Sequence, residues 1–233
     1  MGGIFVISDV HACFTKFKRS IPSGFKKLII LGDFFNKGRE QRECLKFMFD
    51  NIDNPKYVFV IGNSEARMRN EVLRRFDSGN TNKMWAWFGG HAGYTKNKNI
   101  ANIVIEEIEN GTYTYKQFID MTEKLRWYYH EKIGTIDWIM SHASWQTNKS
   151  PQAQSKLNLI YDSDNFLQKL KKSDYQPKIL PIYKNTTFVF GHTPVENISR
   201  VNEPPVILKD KFFYIDNGIF RTKNKVFFLK IGK

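Results

Sequence analysis

A chain of 233 residues with 41% hydrophobic content and 20 Phe has the apolar bulk for one sizeable core, and its length favours a single domain over 1–233. Its net charge of +13 would attract a polyanion such as nucleic acid, yet the basic residues scatter over many segments, with only modest clusters at 16–19, 67–75, 169–172 and 221–225. Two cysteines, Cys13 and Cys44, exclude a disulfide framework and favour a reducing cytoplasm, and no run approaches the roughly 18–20 apolar residues of a membrane span.

In chain order, short runs rich in Val, Ile, Leu and Phe predict buried strands, and five of them stop on a side chain that can hold a metal. Residues 4–7 run into Ser8-Asp9-Val10-His11, a stretch too short and too soon acidic for a signal peptide. Residues 28–31 end at Gly32-Asp33. A helix is predicted over 40–52, where Cys44, Leu45, Met48, Phe49 and Ile52 recur at helical spacing. Residues 58–61 end at Gly62-Asn63, and 65–76 predict a basic amphipathic helix. Two more helices are expected at 99–109 and 115–128, separated by Asn110-Gly111, so 64–130 reads as a helical insertion after the third strand. The fourth strand, 138–140, leads to Ser141-His142. A short helix at 164–172 precedes the strand 187–190, which ends at Gly191-His192, and further strands are expected at 212–215 and 226–231. Strand-helix alternation followed by strands predicts an α/β fold, a mixed-sheet sandwich covered by helices.

In such sheets ligands sit in the crevice at the carboxyl ends of the strands. Asp9, His11, Asp33, Asn63, His142 and His192 should therefore converge. Each alone has a plainer reading: Asp and Asn are common turn formers, and a lone histidine is usually a hydrogen-bonded core residue. Their repetition is what favours a metal centre, since three of the five histidines fall at strand ends. Two cations about 3.5–4 Å apart clamp the attacking and leaving oxygens of a phosphoryl displacement. Imidazole and carboxylate together suit manganese, iron, zinc or nickel better than calcium.

The segments Asp9-Val10-His11, Gly32-Asp33, Gly62-Asn63, Ser141-His142-Ala143 and Gly191-His192-Thr193-Pro194 resemble, in order, the motif series of the calcineurin-like metallophosphoesterases. They are most like the phosphoprotein-phosphatase branch, which includes bacteriophage-lambda-type phosphatases and diadenosine tetraphosphate hydrolases. Ile215-Asp216-Asn217-Gly218 is similar to the IDTG of that branch, and the stretch from Trp85 to Gly93 to its W-x-x-NGG. The resemblance implies a four-layer sandwich, two mixed β-sheets flanked by α-helices, around two divalent ions, commonly manganese. It implies Asp9 and His11 on the first ion, Asp33 bridging, and Asn63, His142 and His192 on the second. A hydroxide between the ions would attack the phosphorus of a phosphorylated substrate.

The departures from the pattern are informative too. Where the family has GNHE, Ser64 replaces the histidine that protonates the leaving group. Where it has GDxxDRG, Asn36 replaces the aspartate that orients that histidine, and Lys37 replaces a phosphate-binding arginine. Ser163 falls where a second arginine is expected. General acid catalysis typically contributes about 10²–10⁴-fold, and a serine hydroxyl is too weak an acid to supply it. Lysine also lacks the planar two-pronged grip of arginine. The expected activity therefore shifts toward diesters, nucleotides or activated phosphates. Two alternatives remain: a conventional serine/threonine protein phosphatase whose acid comes from elsewhere, or an impaired member that binds phosphoprotein or nucleic acid. His91 and His130 are the candidate replacement acids. Cys13 reads as a small buried apolar residue, and Trp85, Trp87 and Phe88 as core residues that could otherwise stack a nucleobase.

Overall fold

The computed structural model describes residues 2–77, 99–162, 165–199, 204–221 and 225–232. Two mixed sheets face each other. The first has the order β3-β2-β1-β9. In it β1 (Ile4–Ile7), β2 (Lys27–Leu31) and β3 (Tyr57–Val60) run parallel, and β9 (Leu229–Ile231) runs antiparallel to β1. The second has the order β4-β5-β6-β8-β7. Its centre, β5 (Ile136–Ser141), β6 (Thr186–Phe190) and β8 (Phe212–Tyr214), is parallel, and β4 (Tyr129–Ile133) and β7 (Val206–Leu208) pair antiparallel at its edges.

Strands buried on both faces read as continuous apolar runs, and alternation then decides which layer each residue fills. Ile4, Val6, Ile29, Leu31, Val58 and Val60 point inward and pack with Met140, Val189 and Ile215 of the opposite sheet. Their neighbours Ile7, Leu28, Ile30 and Phe59 point outward, under Phe17 of α1 (Phe14–Ser20) and Cys44, Leu45 and Met48 of α2 (Gln41–Asn51). Outside the second sheet Phe188, Phe190 and Phe212 lie in a row, covered by Trp145, Tyr183 and Phe166. The order from outside to outside is helices, sheet, sheet, helices, as the α/β sandwich reading expects.

After β3 come α3 (Asn63–Phe76), α4 (Ile100–Glu109) and α5 (Tyr115–Glu123), packed through Met68, Val72, Ile100, Ala101 and Val104. Asn99 caps α4 and Thr114 caps α5 with side-chain bonds to Ala101 N and Gln117 N. The expectation of helix up to residue 128 and insertion up to 130 needs correction. Leu125 is buried and kept the helical spacing going, but α5 stops at Glu123, and Arg126 bonds β3 through Phe59 O and Ile61 N. Residues 129–133 then form β4, whose His130, Glu131 and Lys132 hid it, polar side chains being usual on an edge strand. The helices α6 (Lys156–Tyr161) and α7 (Phe166–Leu170) follow β5, the latter shorter than 164–172. Among the described residues no helix is long and apolar enough to cross a membrane.

Phe188 is wholly buried among Trp145, Tyr183 and Phe212. Phe188→Ala is expected to lower the unfolding free energy by about 3–5 kcal/mol, read from urea denaturation.

Candidate metal centre

All six predicted ligands lie at the carboxyl ends of strands and meet at one place. Asp9 and His11 follow β1, Asp33 follows β2, and Asn63 opens α3 directly after β3. His142 follows β5 and His192 follows β6, so the two sheets contribute four and two residues. The turns that aim them are tight. Asp9, His11, Asp33 and His192 all adopt positive φ, between 46° and 65°, a region non-glycine residues seldom occupy. Glycines let the turns touch: a Cβ on Gly32 would stand 2.5 Å from Gly62 Cα, and one on Gly191 would stand 2.4 Å from Asp9 Oδ2.

Two donor clusters result. In the first, Asp9, His11 and Asp33 present ligand atoms all within 4.8 Å of one another. His11 donates Nδ1–H to Phe35 O at 3.2 Å, which leaves the lone pair on Nε2, 3.6 Å from Asp9 Oδ1. Among the described residues Asp9 Oδ1 is buried without a hydrogen-bond partner, while Oδ2 accepts His192 N–H at 2.7 Å. In the second, His142 donates Nδ1–H to Leu31 O at 2.8 Å. Its Nε2 lies 3.0 Å from Asn63 Oδ1, 3.1 Å from His192 Nδ1 and 3.6 Å from Asp33 Oδ1. Atoms about 3 Å apart match the edges of a shell whose ligands bind a metal at about 2.1 Å. Asp33 belongs to both clusters.

The electrostatics point the same way. Burial pushes the His11 imidazole down to about 4, and burial with the nearby His142 pushes His192 down to about 3. Both are therefore neutral ligands at neutral pH. Burial, then the Asp33 charge, drives the Asp9 carboxyl well above the usual range. Burial also opposes ionisation of Asp33, but His142, His11 and the Ser64 N–H outweigh it and hold this carboxyl at about 2. Carboxylates crowded like this are relieved by a divalent cation between them. The residues fit such an ion.

One organiser was not foreseen. Glu65, fully buried, accepts N–H bonds from Gly62 at 2.8 Å, Asp33 at 2.9 Å and Phe34 at 2.9 Å. Burial and the Asp33 charge raise its carboxyl to about 7 despite those bonds. Its signal was present, as an acid three residues past a helix start is a capping position. Among the described residues Asp216 Oδ2 is a further buried atom without a hydrogen-bond partner, and Asp216 is close enough to Asp9 to feel its charge.

The remaining predicted residues fall differently. Ser64 and Asn36 are buried, at 2% and 4% exposure. Lys37 is exposed, and its Nζ lies 2.7 Å from His11 Nε2 and 4.4 Å over the Phe220 ring. Cys13 is half-buried and directs its thiol to His11 O. His130 is not brought to the centre; it pairs with Asp137 near the start of β5, at 2.7 Å. His91, Trp85, Trp87, Phe88 and Ser163 lie outside the described residues.

The sequence profile of the calcineurin-like phosphoesterases matches residues 3–219, nearly the whole chain. The chain belongs to that family. The chemistry of the calcineurin-like phosphoesterases is metal-dependent hydrolysis of phosphoesters, which the clustered donors suit. The fold is shared with the crystal structure of a provisionally assigned diadenosine tetraphosphatase, at 12% identity and TM-score 0.53, over 98% of this chain and 93% of that one. A Saccharomyces cerevisiae protein serine/threonine phosphatase is also similar, at 14% identity and TM-score 0.48, over 92% and 67% of the two chains. So is a Sphaerobacter thermophilus metallophosphoesterase, at 16% identity and TM-score 0.43, over 92% and 75%. No curated protein matches the sequence.

Glu65→Gln turns an amide NH₂ toward a main-chain N–H that the carboxylate had bonded. It should cost about 1–3 kcal/mol of stability and about 10–100-fold in divalent-ion affinity, measured by denaturation and by titration calorimetry with manganese.

Proposed function

We propose that this calcineurin-like phosphoesterase hydrolyses diesters, nucleotides or activated phosphates, substrates whose leaving group needs little or no protonation. The observation that carries the reading is the position after Asn63. There Ser64 is buried, its N–H bonded to Asp33 Oδ1 at 2.8 Å and its hydroxyl turned to Phe35 O at 3.5 Å. It faces inward and holds a turn, so it has no proton to offer a substrate. Asn36 is equally committed: its N–H donates to Gln41 Oε1 at 3.0 Å, and its Oδ1 accepts from Ile100 N at 3.4 Å. The His–Asp pair of the phosphoprotein-phosphatase branch, to which we assign the chain, is thus replaced by two structural residues.

Asp9, His11 and Asp33 would hold one ion, and Asp33, Asn63, His142 and His192 a second, with manganese as the expected metal. When bound, such ions acidify a water and draw charge from phosphoryl oxygens. The protein's own part is to orient and to balance charge. Asp33, shared by both clusters, sets their spacing. Asn63 and His192, each only half-buried, open the centre to substrate. Lys37 brings one point charge to the His11 side, which matches the single charge of a diester better than the double charge of a monoester.

Protein stripped of metal and reloaded with manganese is to be assayed on 4-nitrophenyl phosphate, bis(4-nitrophenyl) phosphate and a phosphoserine peptide, with Asp33→Asn as the blank. The expected order is the diester first, the aryl monoester second, and the peptide near the blank. Peptide turnover equal to the aryl esters would mean that an acid comes from elsewhere and the protein is a conventional phosphatase. Silence on all three with manganese bound would leave a binding role.

A further inference from the structure

Two cations, Lys37 and Arg67, are each laid over an aromatic ring. Lys37 over Phe220 guards the His11 side. Arg67 connects with the His192 side through Tyr161. It lies one helical turn after Asn63 on α3, on the same face, and helical side chains lean toward the N-terminus. Arg67 therefore reaches back along the helix toward the centre. Its Nε donates to the Tyr161 hydroxyl at 3.1 Å, and its guanidinium carbon lies 5.8 Å from the Tyr161 ring centre. Tyr161 ends α6 and sets its ring against His192, edge to face, at 6.3 Å between centres.

Two other arginines of α3 have carboxylate partners: Arg69 pairs with Glu123 and Arg75 with Glu109. Arg67 has none among the described residues, although it is half-buried. A guanidinium partly withdrawn from water without an anion is poorly compensated. The phenol occupies Nε alone. The two Nη groups, the fork that meets phosphoryl oxygens in pairs, have no bond among the described residues.

We propose that Arg67 seats an anionic phosphoryl oxygen of the substrate, and of the phosphate product, with Tyr161 as the residue that positions it. This rests on the phosphoester-hydrolase reading above and adds the group that holds the substrate. It would restore, from a helix, the two-pronged grip missing at Lys37.

The test is inorganic phosphate binding to the manganese-loaded protein by calorimetry, beside bis(4-nitrophenyl) phosphate kinetics, for the parent, Arg67→Gln, Arg67→Lys and Tyr161→Phe. Losing a charged hydrogen bond predicts about 10–100-fold weaker phosphate binding and a matching rise in KM for Arg67→Gln. Manganese content and melting temperature should stay at parent values. Arg67→Lys should recover part of the affinity, and Tyr161→Phe should lose less than Arg67→Gln. Parent-like phosphate binding by Arg67→Gln overturns the inference, as does loss of manganese along with phosphate, or no phosphate binding by the parent. The calorimetry needs no turnover: a parent that binds phosphate through Arg67 but cleaves no ester refutes the hydrolase reading and leaves the anion site standing.

Discussion

The buried carboxylate of Glu65 ties together the ends of two neighbouring strands. Its oxygens collect the N–H groups of Gly62, which follows β3, and of Asp33 and Phe34, which follow β2. Main-chain donors at the ends of parallel strands have no ladder left to join, and an unpaired buried N–H is costly. One side chain settles three of them. Asp33 is thereby placed between the two donor clusters, with its own Oδ1 fixed by Ser64 N–H. If these bonds move, Asp33 moves, and the two clusters lose their common member.

Backbone strain is gathered in the same turns. Asp9, His11, Ala12, Asp33, Asn36, Lys37 and His192 share positive φ, and conformations of this kind cost about 1–3 kcal/mol each where a side chain is present. They persist because neighbouring main chain holds them. His11 N and Ala12 N bond Asp33 O and Phe34 O, and Gly38 N bonds His11 O. The β1 and β2 loops are thus laced to each other, and main-chain bonds hold the candidate ligands they carry. The rigid layers of phenylalanine outside each sheet are the foundation on which those loops stand.

How much of this was readable beforehand follows from how local each signal is. The central strands were legible because burial on both faces leaves an uninterrupted apolar run, and all six metal-ligand candidates were legible because they end those runs. β4 was not, since its outward side chains are polar and only its partner β5 makes it a strand. The end of α5 was missed because Leu125 is buried by tertiary packing while still in helical phase. Glu65 sat in a quoted motif, but its work depends on where β2 ends, which only the parallel register reveals. Tyr161 and Arg67 are 94 residues apart in sequence, and no pattern along the chain could pair them. Ser64 and Asn36 were singled out by comparison with a motif, and the structure places both in the interior.

The donors come from both sheets, Asp9, His11, Asp33 and Asn63 from one and His142 and His192 from the other. Between the sheets themselves lies mainly aliphatic packing, which grips without direction. An ion bridging these donors would be a rivet through the sandwich. Resistance to unfolding would then track the free concentration of that ion, as with any ligand held only by the native state. A chelator would act on such a protein as a denaturant that never touches its apolar interior.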